Sequence, residues 1–439
     1  MKKPDFTAIE SGMLPPQSSK IAVVGGGISG LACAWLLAPR HRVTLYEADR
    51  CLGGHTNTVD VALDGLTHPV DTGFLVFNDR TYPNLIRLFA RLGVPSAPSD
   101  MSFSVRIGAG ELEWAGSNLA SVFAQPSNLV SPSFLRMLRD LVRFNRQATL
   151  LAAAGTPIRG TLGEFLDDGG YGKELRQLYL HPMAACIWSS PSAQVNRFPL
   201  HTFITFCHNH GLLGVSNRPQ WRTVVGGGRE YVKKLCAHLT DVRLSTPVRR
   251  VRRDGEGVEV ATDHGTERFD HVVMAAHTDQ TLAMLEHPSV EERAVLKAIP
   301  YQPNKAVLHT DAKLLPHRRR AWAAWNFFSP RRELTDEPVS LSYLINRLQP
   351  LPFKGPVVVT MNPQPEAKFA PDPRSVIAEF DYHHPVFLEG SEEAKRRVED
   401  LQGQRRTWFA GAWTRYGFHE DGLLSAIKVA RRLDPETAW

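Results

Sequence analysis

The chain has 439 residues, 43% of them hydrophobic, with 51 Lys and Arg against 45 Asp and Glu and a formal charge of +6. That is enough apolar chain for two cores without metal or disulfide support, and five scattered cysteines (Cys33, Cys51, Cys186, Cys207, Cys236) with no Cys-x-x-Cys pair exclude a disulfide framework and point to a reducing cytoplasm. The arginines are spread and no nucleic-acid module is present, so no nucleic acid is expected; an acidic substrate or an anionic lipid surface suits the mild positive balance.

Residues 1–19, rich in Pro, Ser and Lys, lack the apolar core of a signal peptide and read as a disordered arm. No apolar run is long enough for a transmembrane helix. From residue 20 an apolar strand runs into Val23-Val24-Gly25-Gly26-Gly27-Ile28-Ser29-Gly30, an apolar helix follows, and a second strand, Val43–Tyr46, closes on Glu47. This is Gly-x-Gly-x-x-Gly in strand–helix–strand context. Gly25 makes the tight turn, Gly27 lets backbone approach a pyrophosphate, and Gly30 lets helix pack on strand. The amide end of the helix, at Ile28 and Ser29, faces the phosphates. Glu47, with Ala48 beside it, is placed for ribose hydroxyls. A dinucleotide binds here. A nicotinamide dehydrogenase would usually run straight into another helix, whereas here Gly53-Gly54-His55 and then Val70-Asp71-Thr72-Gly73 offer more bare backbone beside the phosphates.

Further along, hydrophobic periodicity near 3.6 predicts helices over 134–151 and 172–188. Within the first, apolar residues at 134, 135, 137, 138, 141, 142 and 144 are read as one side and Arg136, Arg139, Arg143 and Arg146 as another. Residues 134–146 are either an interfacial helix that meets a membrane surface or an ordinary surface helix with its apolar stripe inward. His201, His208 and His210 lie near one another without a carboxylate or cysteine at ligand spacing, and no metal is expected. A second glycine turn, Gly226-Gly227-Gly228, opens another helix. Strands are expected at Ala306–Thr310, Ser340–Ile345 and Val357–Met361. Near the end, Trp408-Phe409-Ala410-Gly411-Ala412-Trp413 reads as a strand running into glycine. His419-Glu420-Asp421-Gly422-Leu423-Leu424 then feeds a last apolar helix, with Asp421 a natural N-cap.

Together these motifs resemble the flavin amine oxidase and phytoene desaturase superfamily, over nearly the whole chain. The segments Pro182–Ser189, Asn209–Leu213, Arg218–Arg222 and Gly417–Gly422 are most similar to bacterial predicted FAD-binding oxidoreductases encoded beside cyclopropane-fatty-acid-synthase-like methyltransferases. The resemblance implies an α/β fold: a Rossmann-type FAD-binding domain interleaved with an α+β substrate domain. The expected division is 20–75, 222–285 and 403–439 for FAD, and 76–221 and 286–402 for substrate. It implies FAD gripped from both chain ends, by the motifs already named together with Gly73, Val248, Gly411, Gly422, Leu423 and Leu424. The amide end of the last helix would face the flavin and stabilise its anionic reduced form.

For chemistry, the resemblance places Lys305 where amine oxidases have a lysine reaching the flavin through water; the alternative is a solvated strand-edge lysine. His419 stands where amine oxidases commonly have an aromatic, and reads equally as a proton carrier or as part of the helix start. Trp221 and Arg222 either flank the flavin or hold a carboxylate or pyrophosphate, with a structural salt bridge the alternative. Tyr343, His384 and Trp413 complete the expected substrate pocket. The leading reading is hydride transfer to FAD from an apolar substrate, a fatty-acyl chain undergoing desaturation or double-bond modification. An amine or amino-acid oxidase, and a non-catalytic flavoprotein partnering a lipid methyltransferase, are the alternatives. A cytoplasmic protein, peripheral on the inner membrane if the 134–146 helix meets lipid, is expected.

Overall fold

The computed structural model describes residues 18–108, 110–154, 158–188, 192–214, 218–331, 340–364, 366–388 and 390–439. Most of the segment read as a disordered arm, residues 1–17, lies outside them.

The first strand, Lys20–Val24, lies at the centre of a five-stranded parallel sheet. The order across it is Asp241–Arg243, Arg42–Tyr46, Lys20–Val24, His271–Met274, Thr407–Phe409. Such strands are covered on both faces and so read as continuous apolar runs, as Ile21-Ala22-Val23-Val24 does. Alternate residues serve different cores. Ile21, Val23 and Leu45 pack with the first helix, Ile28–Leu37, whose ten residues are all buried. Ala22, Val24 and Tyr46 pack with Val248, Phe269, Phe409 and Trp413 on the opposite face. The last helix, His419–Leu433, lies along the first, so both chain ends meet over one sheet. A three-stranded antiparallel meander, Val248–Arg253, Val258–Thr262 and Gly265–Phe269, joins the second core.

The remaining chain builds a seven-stranded mixed sheet. Its order is Val376–Pro385, Tyr301–His309, Val358–Met361, Ser340–Leu344, Trp325–Ser329, Phe103–Ile107, Leu112–Ala115. Against it stands a helical layer. Pro132–Ala153 starts at Ser131, whose hydroxyl accepts the Phe134 amide, with Pro132 at the first turn. The helix expected over 172–188 is present with a π-type turn at Arg176–Leu180 before His181–Trp188. The stretch 76–221 supplies strands as well as helices, because Phe103–Ile107 and Leu112–Ala115 belong to the large sheet. Trp221–Val224 also pairs with Phe77–Asn78 and Ser96–Pro98, so a boundary at 222 cuts a strand.

Candidate flavin site and its surroundings

The site forms at the carboxyl ends of the parallel strands. Gly25 turns the chain with φ 107°, and its amide reaches the Tyr46 carbonyl at 2.9 Å. A Cβ on Gly30 would run into the Gly25 carbonyl oxygen, so the helix can approach its strand only without a side chain there. A Cβ on Gly27, by contrast, would meet no atom within 4 Å: the backbone there faces open space. Glu47 accepts the Gly26 amide at 2.7 Å and the Asp49 amide at 2.9 Å, and each oxygen keeps lone-pair capacity for a ribose hydroxyl. Thr246 donates its amide to the Glu47 carbonyl, which lays the start of the Val248 strand beside the acid. The Gly53-Gly54 loop folds back so that the Gly53 amide bonds the Gly26 carbonyl at 2.9 Å, with His55 following at the same crevice.

The far end of the chain completes this wall. The Ser29 hydroxyl donates to the Gly422 carbonyl at 3.1 Å, and a Cβ on Gly422 would press on Ile28 and Ser29. The Gly411 amide bonds the Ser425 hydroxyl at 2.9 Å. Two helix amide ends therefore converge on one crevice, an arrangement that favours anionic groups. Leu423 is fully buried beneath, whereas the side chain of Leu424 faces away, into a groove with Val398, Gln402 and Phe409.

Around His55 the structure gathers histidines that sequence reasoning left scattered. His55 stacks on Tyr382 at 5.1 Å, lies 5.1 Å from His384 and 6.3 Å from His277, and His277 stacks on Tyr301 at 4.1 Å. Burial lowers His55 and His277 to about 4 and His384 to about 3, so the cluster is neutral at physiological pH. His55 Nε2 is buried without a hydrogen-bond partner among the described residues. Open backbone at Gly27, an acid with free lone pairs, two helix amide ends and a buried imidazole nitrogen without a partner together fit a dinucleotide flavin. Tyr301 and His277 were not anticipated. His277 carried a usable signal, because it follows Met274-Ala275-Ala276 at the carboxyl end of a central strand, where open α/β sheets bind ligands.

Three expectations about chemistry are corrected. Lys305 points outward, half-exposed, in a 2.6 Å ion pair with Glu379, which holds its ammonium above the usual lysine range. Its strand neighbour Asn304 faces the cluster instead and bonds His384 Nδ1 at 2.9 Å. His419 is no proton carrier. It stacks on Phe74 at 3.8 Å, and its Nε2 meets the Tyr231 hydroxyl at 2.7 Å and Thr56 Oγ1 at 3.1 Å. Burial lowers it to about 3, with the nearby His55 adding to the shift. Asp421 is not the N-cap residue. Phe418 holds that position, and Asp421 accepts the Phe418 and Tyr416 amides from three residues on.

The pocket candidates disperse. The Arg222 fork is engaged by Ser96, through Nε to the hydroxyl and Nη2 to the carbonyl, both at 2.9 Å, so it clips a small sheet together and holds no anion. Tyr343 stands edge-on to Trp325 at 4.9 Å. Trp413 is buried in the second core with Tyr46 and Phe409 and does not line the crevice. His384 joins the histidine cluster. Trp221 joins an aromatic series in which it stacks with His210 at 6.1 Å, His210 with Phe206 at 3.9 Å, and Phe206 with Phe418 at 5.0 Å. Phe418 immediately precedes the last helix, so this series connects the helical layer to the flavin side.

A parallel sheet with a glycine cradle, an acid closing its second strand and a returning C-terminal helix defines a flavoprotein oxidoreductase. Residues 28–434 match the family of flavin-containing amine oxidoreductases, and the chain belongs to that family. It is an FAD-dependent enzyme. Carotenoid phi-ring synthase from Streptomyces griseus is 32% identical over 278 residues, 58% of this chain and 52% of that protein; the chain thus spans about half the length of this curated relative. Among solved structures, a CLA-producing fatty acid isomerase from P. acnes superposes with TM-score 0.67 at 15% identity, over 95% of this chain and 99% of that one. Putrescine oxidase bound to putrescine superposes with TM-score 0.68 at 15% identity, over 96% and 100%. At such identity these two structures bear on the fold alone.

Proposed function

We propose that the enzyme acts on a long apolar substrate, a fatty-acyl or similar hydrocarbon chain, and introduces or shifts a carbon–carbon double bond. The observation that carries this reading is the aromatic series Trp221–His210–Phe206–Phe418, in which an imidazole neutral at physiological pH packs between apolar rings up to the start of the last helix. The features an amine oxidase would use are absent from that place: Lys305 is outside, and His419 is tied to Tyr231, Thr56 and Phe74. A relative named for carotenoid ring synthesis and a structural neighbour named for fatty acid isomerisation are compatible with it.

FAD, held by Glu47 and the glycine loops, would supply a two-electron acceptor for a hydride equivalent. The chain's residues supply placement and dryness. The rings orient an alkyl chain by contact, as apolar pockets do. The neutral histidines at 55, 277 and 384 leave the crevice polar but uncharged, which suits a substrate with no counter-charge to offer. Glu47 and the glycine loops hold the cofactor while contributing nothing to the reacting bond.

Anaerobic mixing with phospholipids bearing unsaturated acyl chains, with a panel of amines in parallel, tests the reading through the visible absorbance of the flavin. Bleaching by lipid alone is the expected result. Bleaching by an amine alone overturns it. A flavin that neither class reduces, in a chain that leaves the double bonds of the recovered lipid unmoved and binds a lipid methyltransferase, also overturns it and assigns a partner role.

A further inference from the structure

We propose that the outward face of the long helix Pro132–Ala153, with the turn that feeds it, docks this enzyme on an anionic phospholipid surface. The helix has a satisfied inner side: Phe134, Met137, Asp140, Phe144 and Ala148 are all buried. Its outer side is where the sequence expectation is corrected. Apolar and basic residues do not segregate to two sides; they share the exposed one. Leu135, Arg139, Val142, Arg146 and Leu150 follow one another at helical spacing and all stand in solvent. The stripe extends about 22 Å along the axis. Leu129 and Val130 protrude from the turn immediately before it, and Leu119 from the short helix before that.

This concentration is unusual within the molecule. Of the twelve large apolar side chains most exposed among the described residues, six lie between Leu119 and Leu150, each 44–79% exposed. Scattered surface leucines need no explanation, but half of them in one short segment do. The charges point the same way. Between Trp114 and Gly163 the only carboxylate is the buried Asp140, against five arginines. Arg136 is held by Glu174 at 2.8 Å from the adjoining helix, and Arg143 lies over the Tyr171 ring at 4.0 Å. Arg139 reaches Asp140 from an exposed position, and Arg146 has no ion-pair partner among the described residues. Successive turns of the stripe thus alternate an alkyl group able to enter the acyl boundary with a guanidinium at headgroup height.

The pattern selects lipid over protein. A protein partner is favoured by a contiguous apolar centre, which Arg139 and Arg146, two turns apart, interrupt. A second copy of the chain across a two-fold axis would set arginine against arginine, with no exposed acid on the stripe to answer it. Anionic headgroups answer every arginine at once. The inference stands whichever substrate the flavin meets.

Flotation of the FAD-loaded full chain with vesicles of phosphatidylcholine, with and without phosphatidylglycerol, tests it. Binding is expected on the anionic vesicles only, weakening as salt is raised. Arg139→Glu with Arg146→Glu should weaken that binding at least about 25-fold, from roughly fivefold per arginine. Leu135→Ser with Val142→Ser should also weaken it, with no change in charge. Both double variants alter outward side chains, so flavin content and thermal stability should match the parent and report intact folding. Three results would overturn the proposal: equal or no partition on the two vesicle types, binding that both double variants retain, or a dimer in sedimentation equilibrium that the same variants dissolve while vesicles are ignored.

Discussion

Asn304 and Lys305 are neighbours in sequence and opposites in surroundings, because successive strand residues point to opposite faces. Asn304 is buried against His384, while Lys305 pairs with Glu379 across the exposed face of the same antiparallel pair. A one-residue step therefore separates a residue at the flavin seam from one in water. Lys305→Met should leave flavin content unchanged and alter the rate of flavin reduction by less than about twofold, since exposed ion pairs contribute little. A loss of tenfold or more in stopped-flow reduction would restore the lysine to the chemistry. His419 makes the converse case. Its bonding is complete and its proton affinity suppressed, so its removal should register in folding and leave the pH profile of reduction unmoved. His419→Leu loses a stacked ring and leaves Tyr231 and Thr56 only each other, at 2.5 Å; a cost of about 2 kcal/mol in unfolding free energy is expected.

At the scale of elements, the glycine motifs were legible because their requirements are local. A tight turn at Gly25, a close helix at Gly30 and an acid ending the next strand lie within one strand–helix–strand unit. The seams were not legible, because they depend on which elements meet. Glu420 shows this well: in the sequence it reads as a partner in capping its own helix. In the structure it leaves that helix and accepts the Asn84 amide, the Asn84 side chain and the Leu85 amide at 2.7–3.0 Å. It thereby caps Pro83–Leu92, a helix whose own N-cap residue, Tyr82, offers no side-chain bond. Nothing in the local pattern around residue 83 announces a cap supplied from residue 420. Glu420→Gln keeps the shape but turns an amide donor toward at least one of the three donors, which are shared between the two carboxylate oxygens. Chemical denaturation should show a loss of about 1–3 kcal/mol, the range for a buried group left unsatisfied. An unchanged midpoint would mean that this link between the chain ends does not stabilise the fold.

At the scale of the whole molecule, the interleaved chain has buried an unusual set of histidines, and their protonation sets how the enzyme meets acid. His55, His210, His277 and His309 are lowered to about 4, and His384 and His419 to about 3, in every case mainly by burial. The unfolded chain takes up these protons near pH 6.5 and the folded one does not. Between pH 6.5 and about 4 the unfolded state therefore binds more protons, and stability falls as the pH is lowered, by up to about 1.4 kcal/mol per pH unit for each such group. Three carboxyls act oppositely, Glu420 being raised by burial as well. Asp71 and Asp421 are raised to about 6 by burial, so over part of the same range the folded state holds protons that the unfolded one has released. Six groups against three leaves the histidines dominant. Melting temperature should accordingly hold above pH 6.5 and drop steadily below it, and His384→Gln should make that decline shallower. The histidines at 55, 277 and 384 gather where the glycine loop, the central strand and the large sheet meet, so FAD, once bound there, adds stability by mass action to this same region. The negative charge of bound FAD beside these histidines favours their protonated form, so the folded state takes up more of the same protons and the acid limb should be steeper in the apoprotein than in the FAD-loaded enzyme. Equal slopes in the two forms, followed by thermal scans at matched pH, would show that the histidine cluster and the cofactor do not share a site.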